Sequence, residues 1–198
     1  MGLYLFPSIF VLLLVIKHII AKSGSEDKAS KTLLELEAEA NNTRKQDVSQ
    51  LPYIQVPVDT LPFHTLTPSP AVEADIINLA KKQILNLNGI TNTALKKQYG
   101  PANLDFLSRC DENYTTLIRN LTVWAKSFYE ANMYAQARTI LEYSVSIGSD
   151  IRQAYQMLTD IYAREQDMSA LKNLRQQAEK LTSLSAPDIL GYIDSHLK

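Results

Sequence analysis

Hydrophobic and polar positions divide the chain into three stretches of different periodicity. Leu3 to Ile16 is almost unbroken apolar sequence (LYLFPSIFVLLLVI), followed by Lys17, His18, Ile19, Ile20, Ala21 and Lys22. A helix from Leu3 to Ala21 would run about 28 Å at roughly 1.5 Å per residue, close to the hydrocarbon thickness of a bilayer. From Val72 onward apolar residues recur with a period near 3.6, as in amphipathic helices packed on one another. Between these two stretches the chain is first polar and charged, then rich in proline.

The periodic stretch predicts a series of helices. Ile76, Ile77, Leu79, Ala80, Ile84 and Leu85 fall on one helix, which Gly89 ends in a left-handed turn. Thr91 to Tyr99 forms a short second helix, punctuated by Gly100-Pro101. A long helical stretch carries Leu104, Phe106 and Leu107, then Tyr114, Leu117, Ile118, Leu121, Trp124, Ala125 and Phe128, and the polar run Arg109 to Asn113 marks a break between two pieces. The helix Ala135 to Ile147 ends at Gly148. The next, capped by Ser149 or Asp150, runs to about Glu165; another opens at Asp167 or Met168 and ends near Leu181. Ser185 caps a last helix with Pro187 in its first turn. Joins this short make antiparallel helix pairs. No period-two alternation stands between them, so the expected fold is all-α.

The intervening region reads in two parts. Ala29 to Arg44 uses strong helix formers with a weak apolar stripe at Leu33, Leu34, Leu36, Ala38 and Ala40. It is either a lone juxtamembrane helix or a short dimer contact with few heptads. Val48 to Pro70 carries Pro52, Pro57, Pro62, Pro68 and Pro70, which exclude helix and favour extended chain. Its Tyr53, Ile54, Val56, Val58, Leu61 and Phe63 are too apolar for a free linker. Either they bury against the helices or the segment is a partner-binding strand. The expected organisation is an anchor at 1–22, a linker at 23–71 and a helical domain at 72–198.

Charge and composition narrow the function classes. Net charge is −1, and pairs such as Lys81-Lys82 and Lys96-Lys97 read as solvated helix faces, so no nucleic-acid partner is expected. The one cysteine, Cys110, and the dispersed His18, His64 and His196 show no metal-ligand spacing, and no cofactor is expected. Three glycosylation triplets, beginning at Asn41, Asn113 and Asn120, read as chance matches. No phosphate-cradling glycine loop, nucleophile elbow or histidine–carboxylate motif is present, and the chain reads as a non-enzyme.

Residues before the apolar run carry no Lys or Arg, unlike a secretory signal peptide, so the anchor reads as uncleaved and lodged in the lipid bilayer. Lys17, Lys22, Lys28 and Lys31 flank its C-terminal side. The positive-inside rule then places the soluble part in the cytoplasm. The alternative is an exported, membrane-attached domain that assists envelope or surface assembly.

Leu121, Trp124, Ala125 and Phe128 align with Tyr155, Leu158, Thr159 and Tyr162 at a spacing of 34, and Ala137 and Leu141 with Ala170 and Leu174 at 33. This large–small–aromatic–alanine arrangement resembles the tetratricopeptide repeat, with about two degenerate copies over Ile118 to Leu181. Thr159 stands where the pattern has Gly or Ala, and neither copy ends in proline. The resemblance implies an αα superhelix whose first helices line a concave groove. Arg119, Lys126, Tyr129, Gln156, Asp160 and Arg164 would then face a protein or peptide partner. Taken together, the sequence reads as a single-pass membrane scaffold.

Overall fold

The computed structural model describes residues 32–63, 65 and 68–197. Among these residues there are eight α-helices and no strand, so the fold is all-α. The helices are α1 (residues 32–41), α2 (Pro70–Leu79), α3 (Asn92–Tyr99), α4 (Leu104–Glu130), α5 (Tyr134–Ser146), α6 (Arg152–Arg164), α7 (Met168–Ala178) and α8 (Ala186–His196). The apolar stretch Leu3 to Ala21 lies outside the described residues. None of the described helices is long and apolar enough to cross a membrane.

The chain divides into two compact units, and the first comprises residues up to Val48 together with Thr91–Leu104. Here α1 and α3 are joined by charge. Glu37 pairs with Lys96 and accepts the Thr93 hydroxyl at 2.7 Å, while Glu39 meets Lys97 at 3.1 Å. These bonds, led by that from Lys96, hold the Glu37 carboxyl below its ordinary pKa. Thr91, expected as the first residue of α3, is instead its N-cap and accepts from the Ala94 N–H. Gly100 has φ +84°, and a Cβ there would lie 2.7 Å from the Arg44 carbonyl oxygen, so both dihedral and space require glycine.

The second unit, Ser49–Ile90 and Asp105 onward, holds the hydrophobic core. Trp124, Phe128, Leu121, Leu141, Leu158 and Ile161 are buried within it, together with Val56, Leu61 and Phe63 from the proline-rich segment. That segment packs as the first of its two sequence readings expects. Phe63 stacks on Trp124 with centroids 4.7 Å apart, and the Tyr143 hydroxyl donates to the Gln55 carbonyl at 3.1 Å.

Two expected helix boundaries differ from the structure through one set of contacts, and two expected caps differ as well: α6 is preceded by Ile151 with no side-chain cap bond, and the Ser185 hydroxyl donates to Asp150 O instead of capping α8. The helix expected to continue through Ile84 and Leu85 stops at Leu79, and residues 83–87 are not helical. Their backbone groups find tertiary partners instead. Ile54 N donates to Ile84 O, Leu85 N to Cys110 O, and Leu87 N to the Asp111 carboxylate at 2.9 Å. Asn113 donates its amide to Gln83 O at 3.0 Å. The polar run Arg109 to Asn113 therefore does not break α4, which is continuous over 27 residues; two of its polar side chains reach out of the helix to hold residues 83–87.

The α4–α5 and α6–α7 turns are built alike. Asn132 and Gln166, 34 positions apart, both have positive φ (60° and 58°). In the first turn Met133 N donates to Phe128 O and Asn132 N to Tyr129 O; in the second Asp167 N donates to Tyr162 O and Gln166 N to Ala163 O. Each is a Schellman closure with the left-handed residue at C′. The tight turns fold each helix back on its predecessor, and the small residues at Ala125 and Ala137 are fully buried.

Candidate functional site

The face shared by α4, α6 and α8 gathers a set of interacting polar side chains around Asp160, three of them among the residues expected to face a partner. On α6, Arg152, Gln156, Asp160 and Arg164 recur every four residues and so form one stripe. Arg152 meets Asp188 near the start of α8 at 3.1 Å, and Asp160 meets residues near its end. Starts pair with starts and ends with ends, so α6 and α8 run parallel.

Asp160 is the centre of this face. Its Oδ1 accepts the Tyr192 hydroxyl at 2.7 Å and lies 3.8 Å from His196 Nε2. Its Oδ2 accepts the Tyr129 hydroxyl of α4 at 3.3 Å. One carboxylate thus links three helices. The bond to Asp160, with burial second, pushes the Tyr192 hydroxyl up to about 12; burial, then the same carboxylate, pushes Tyr129 up as well. Both phenols stay neutral donors at any physiological pH. The His196 ring packs on Tyr192 at 4.9 Å, and its Nδ1 lies 3.0 Å from the Tyr192 carbonyl oxygen.

Beside this network Tyr129 meets Tyr134 edge to face at 5.3 Å, and the Arg164 guanidinium sits 4.3 Å above the Tyr134 ring. Lys126 lies one turn before Tyr129 and has Glu130 at 3.6 Å, an exposed pair that contributes little. Arg119 and Arg164 have no carboxylate within ion-pair distance among the described residues.

Of the six residues expected on a groove, Tyr129, Asp160 and Arg164 join one cluster. Arg119, Lys126 and Gln156 extend along the same helices without joining it. Tyr134, Tyr192 and His196 belong to the cluster and were not expected there. Their signal in the sequence is slight: Tyr192 and His196 share a four-residue spacing on a helix read as a cover, and Tyr134 follows a turn.

A second feature lies across α6, where α5 and α7 flank a cleft of about 430 Å³ floored by Leu158 and Leu174. Arg138 at its mouth engages Glu142 at 2.8 Å, Glu165, and the Tyr162 ring at 4.9 Å. The hydrogen bond to Glu142 leads the causes that raise the Arg138 pKa, so this cation is internally neutralised. Burial raises the Cys110 thiol, which sits among core residues. Among the described residues no group of three or more His, Cys, Asp or Glu side chains is placed to hold a metal ion. No family model matches the chain, and no curated protein and no solved structure matches it.

Proposed function

We propose that this chain is a membrane-tethered, non-catalytic protein-binding module, related in plan to tetratricopeptide domains. Its docking surface is the face of α4, α6 and α8. The observation that carries the reading is the Tyr129–Asp160–Tyr192 link, which joins three helices into one surface with the Arg164 guanidinium over the Tyr134 ring beside it. Aromatic rings and a guanidinium packed on one of them supply large contact area with little conformational entropy to lose on binding. The 34-residue spacing of the Asn132 and Gln166 turns fits the repeat reading, although the turn at Gly148 closes in the same way. The anchor is the Leu3–Ala21 stretch, and the excess of lysine on its C-terminal side favours a cytoplasmic domain. A tether confines the domain to a thin layer and so raises its effective concentration for membrane partners.

Charge reversal tests the surface. The double variant Lys126→Glu with Arg164→Glu should lower recovery of a crosslinked partner from membranes by about tenfold or more, the equivalent of 1.4 kcal/mol. Its thermal midpoint should stay close to the parent's, because both side chains are exposed. Equal recovery from parent and variant would show that this face is not the docking surface. Protease added to intact cells should leave the domain uncut; digestion would favour the exported arrangement.

A further inference from the structure

Helix α1 presents three large apolar side chains that the first unit does not cover. Leu33 is 66%, Leu34 67% and Leu36 41% exposed. At about 100° per residue, Leu36, Ala40, Leu33, Glu37 and Leu34 share an arc of roughly 160°. The C-terminal part of this arc is satisfied: Ala40 is fully buried, and Glu37 is held by Lys96 and Thr93. Only the part at the start of the helix is uncovered, so the apolar surface is a patch at one end and not an unpaired seam along the whole length.

The position of that end limits what can cover it. Ten residues separate Ala21, the end of the apolar stretch, from residue 32, and at most about 35 Å of extended chain joins them. If Leu3 to Ala21 spans the bilayer, the start of α1 is confined near the bilayer surface. In the joining segment Lys22, Lys28 and Lys31 outnumber Glu26 and Asp27, which favours anionic headgroups. The acidic residues of α1 do not oppose the approach. Glu37 and Glu39 are neutralised by Lys96 and Lys97, and Glu35 falls on the side of the helix away from the leucines.

We propose that the first turns of α1 rest in the headgroup region of the bilayer, with Leu33, Leu34 and Leu36 as the inserted side chains. This inference rests on the anchor reading above. It adds a second, surface contact that sets the attitude of the first unit to the membrane, whereas a span alone leaves the unit free to turn on its tether. An amphipathic segment with a short apolar patch and nearby lysines lies in the interface plane rather than crossing it.

The test uses the full chain in lipid nanodiscs containing anionic lipid. Leu34→Cys, and separately Glu35→Cys, carry an environment-sensitive fluorophore; the parent chain, with Cys110 buried, gives the background. A nitroxide-labelled lipid should quench the probe at 34 about threefold more than the probe at 35, as expected for a side chain facing the acyl boundary. Equal quenching, with both probes open to an aqueous quencher, overturns the surface contact while leaving the anchor intact. A probe at 34 that is shielded from water but not quenched by the lipid, and only when a disc holds two chains, overturns the proposal in favour of contact with a second copy. A chain that elutes apart from the discs overturns the anchor reading and this inference with it.

Discussion

Replacing Phe63 by alanine tests whether the proline-rich segment is part of the folded core. Phe63 is buried and lies against the Trp124 ring at 4.7 Å with an interplanar angle of 29°. Loss of the buried side chain removes about 1.5–3 kcal/mol of transfer free energy, and the aromatic pair adds roughly 0.5–1.5 kcal/mol. A rigid site would add a cavity penalty. The segment is anchored on the helices by bonds that include Ile54 N to Ile84 O and the Tyr143 hydroxyl to Gln55 O, so part of that penalty applies. The expected destabilisation is therefore about 3 kcal/mol, which lowers the thermal midpoint of a domain this size by about 10 °C.

The chain carries its own reporter for this variant. Trp124 is its only tryptophan and is fully buried, with Phe63 on one face and Phe128 edge-on at 5.7 Å. Phe63→Ala should shift its emission to longer wavelength in the native baseline, before any unfolding. Far-ultraviolet circular dichroism supplies the midpoint. Leu184→Ala is the control, since that side chain is fully exposed and should change neither signal. A Phe63→Ala protein with a midpoint within about 2 °C of the parent and unchanged emission would refute the argument that this segment covers the tryptophan.

Two further outcomes follow from the same structure. Tyr143 and Tyr155 are pushed up to about 12 by burial, and Tyr192 to about 12 chiefly by its bond to Asp160. An unfolded tyrosine titrates near pH 10, so the folded state keeps these protons longer. Their contribution is fully present below about pH 10 and is lost as pH rises through about 12. The urea midpoint should be level up to about pH 9.5 and fall steeply above it, and a midpoint unchanged at about pH 11.5 would contradict this. Gln166 holds a left-handed conformation at C′, so Gln166→Gly should stabilise the domain by about 0.5–1 kcal/mol in urea unfolding, and Asn132→Gly by less, because asparagine tolerates that conformation better. Destabilisation by Gln166→Gly would show that its side chain does more than occupy the turn.

The elements that could be read from the sequence are those whose signals are local. Asp167 ahead of α7, Thr91 ahead of α3 and Gly100 after it act through bonds or dihedrals within a few residues, so their meaning does not depend on the rest of the fold. The 3.6-residue period placed Trp124, Phe128, Leu141 and Leu158 in the core for the same reason. Both boundary errors came from a long-range contact. Ile84 and Leu85 are apolar enough to extend a helix, and Asp111 and Asn113 are polar enough to end one. Only the bonds between residues 83–87 and α4 reverse both readings. Neither segment contains a residue that reports the other.

The candidate face divides along the same line. A four-residue stripe on α6 places Gln156, Asp160 and Arg164 together whatever lies beside it, and that much is visible in a single helix. What Asp160 does depends on which helices flank α6. With Tyr129 on one side and Tyr192 on the other, each oxygen of its carboxylate already accepts one hydroxyl bond. The cations behave in the opposite way. Arg164 is oriented by an aromatic ring and not by an acid, and Arg119 stands clear of every carboxylate among the described residues, so their charge remains for a ligand. Asp160 on this stripe is tied to neighbouring phenols, Arg152 and Lys126 have acid partners in Asp188 and Glu130, and Arg164 has an aromatic one. For that reason the charge-reversal pair is built on Lys126 and Arg164, and Asp160 is left in place to hold the three helices that present them.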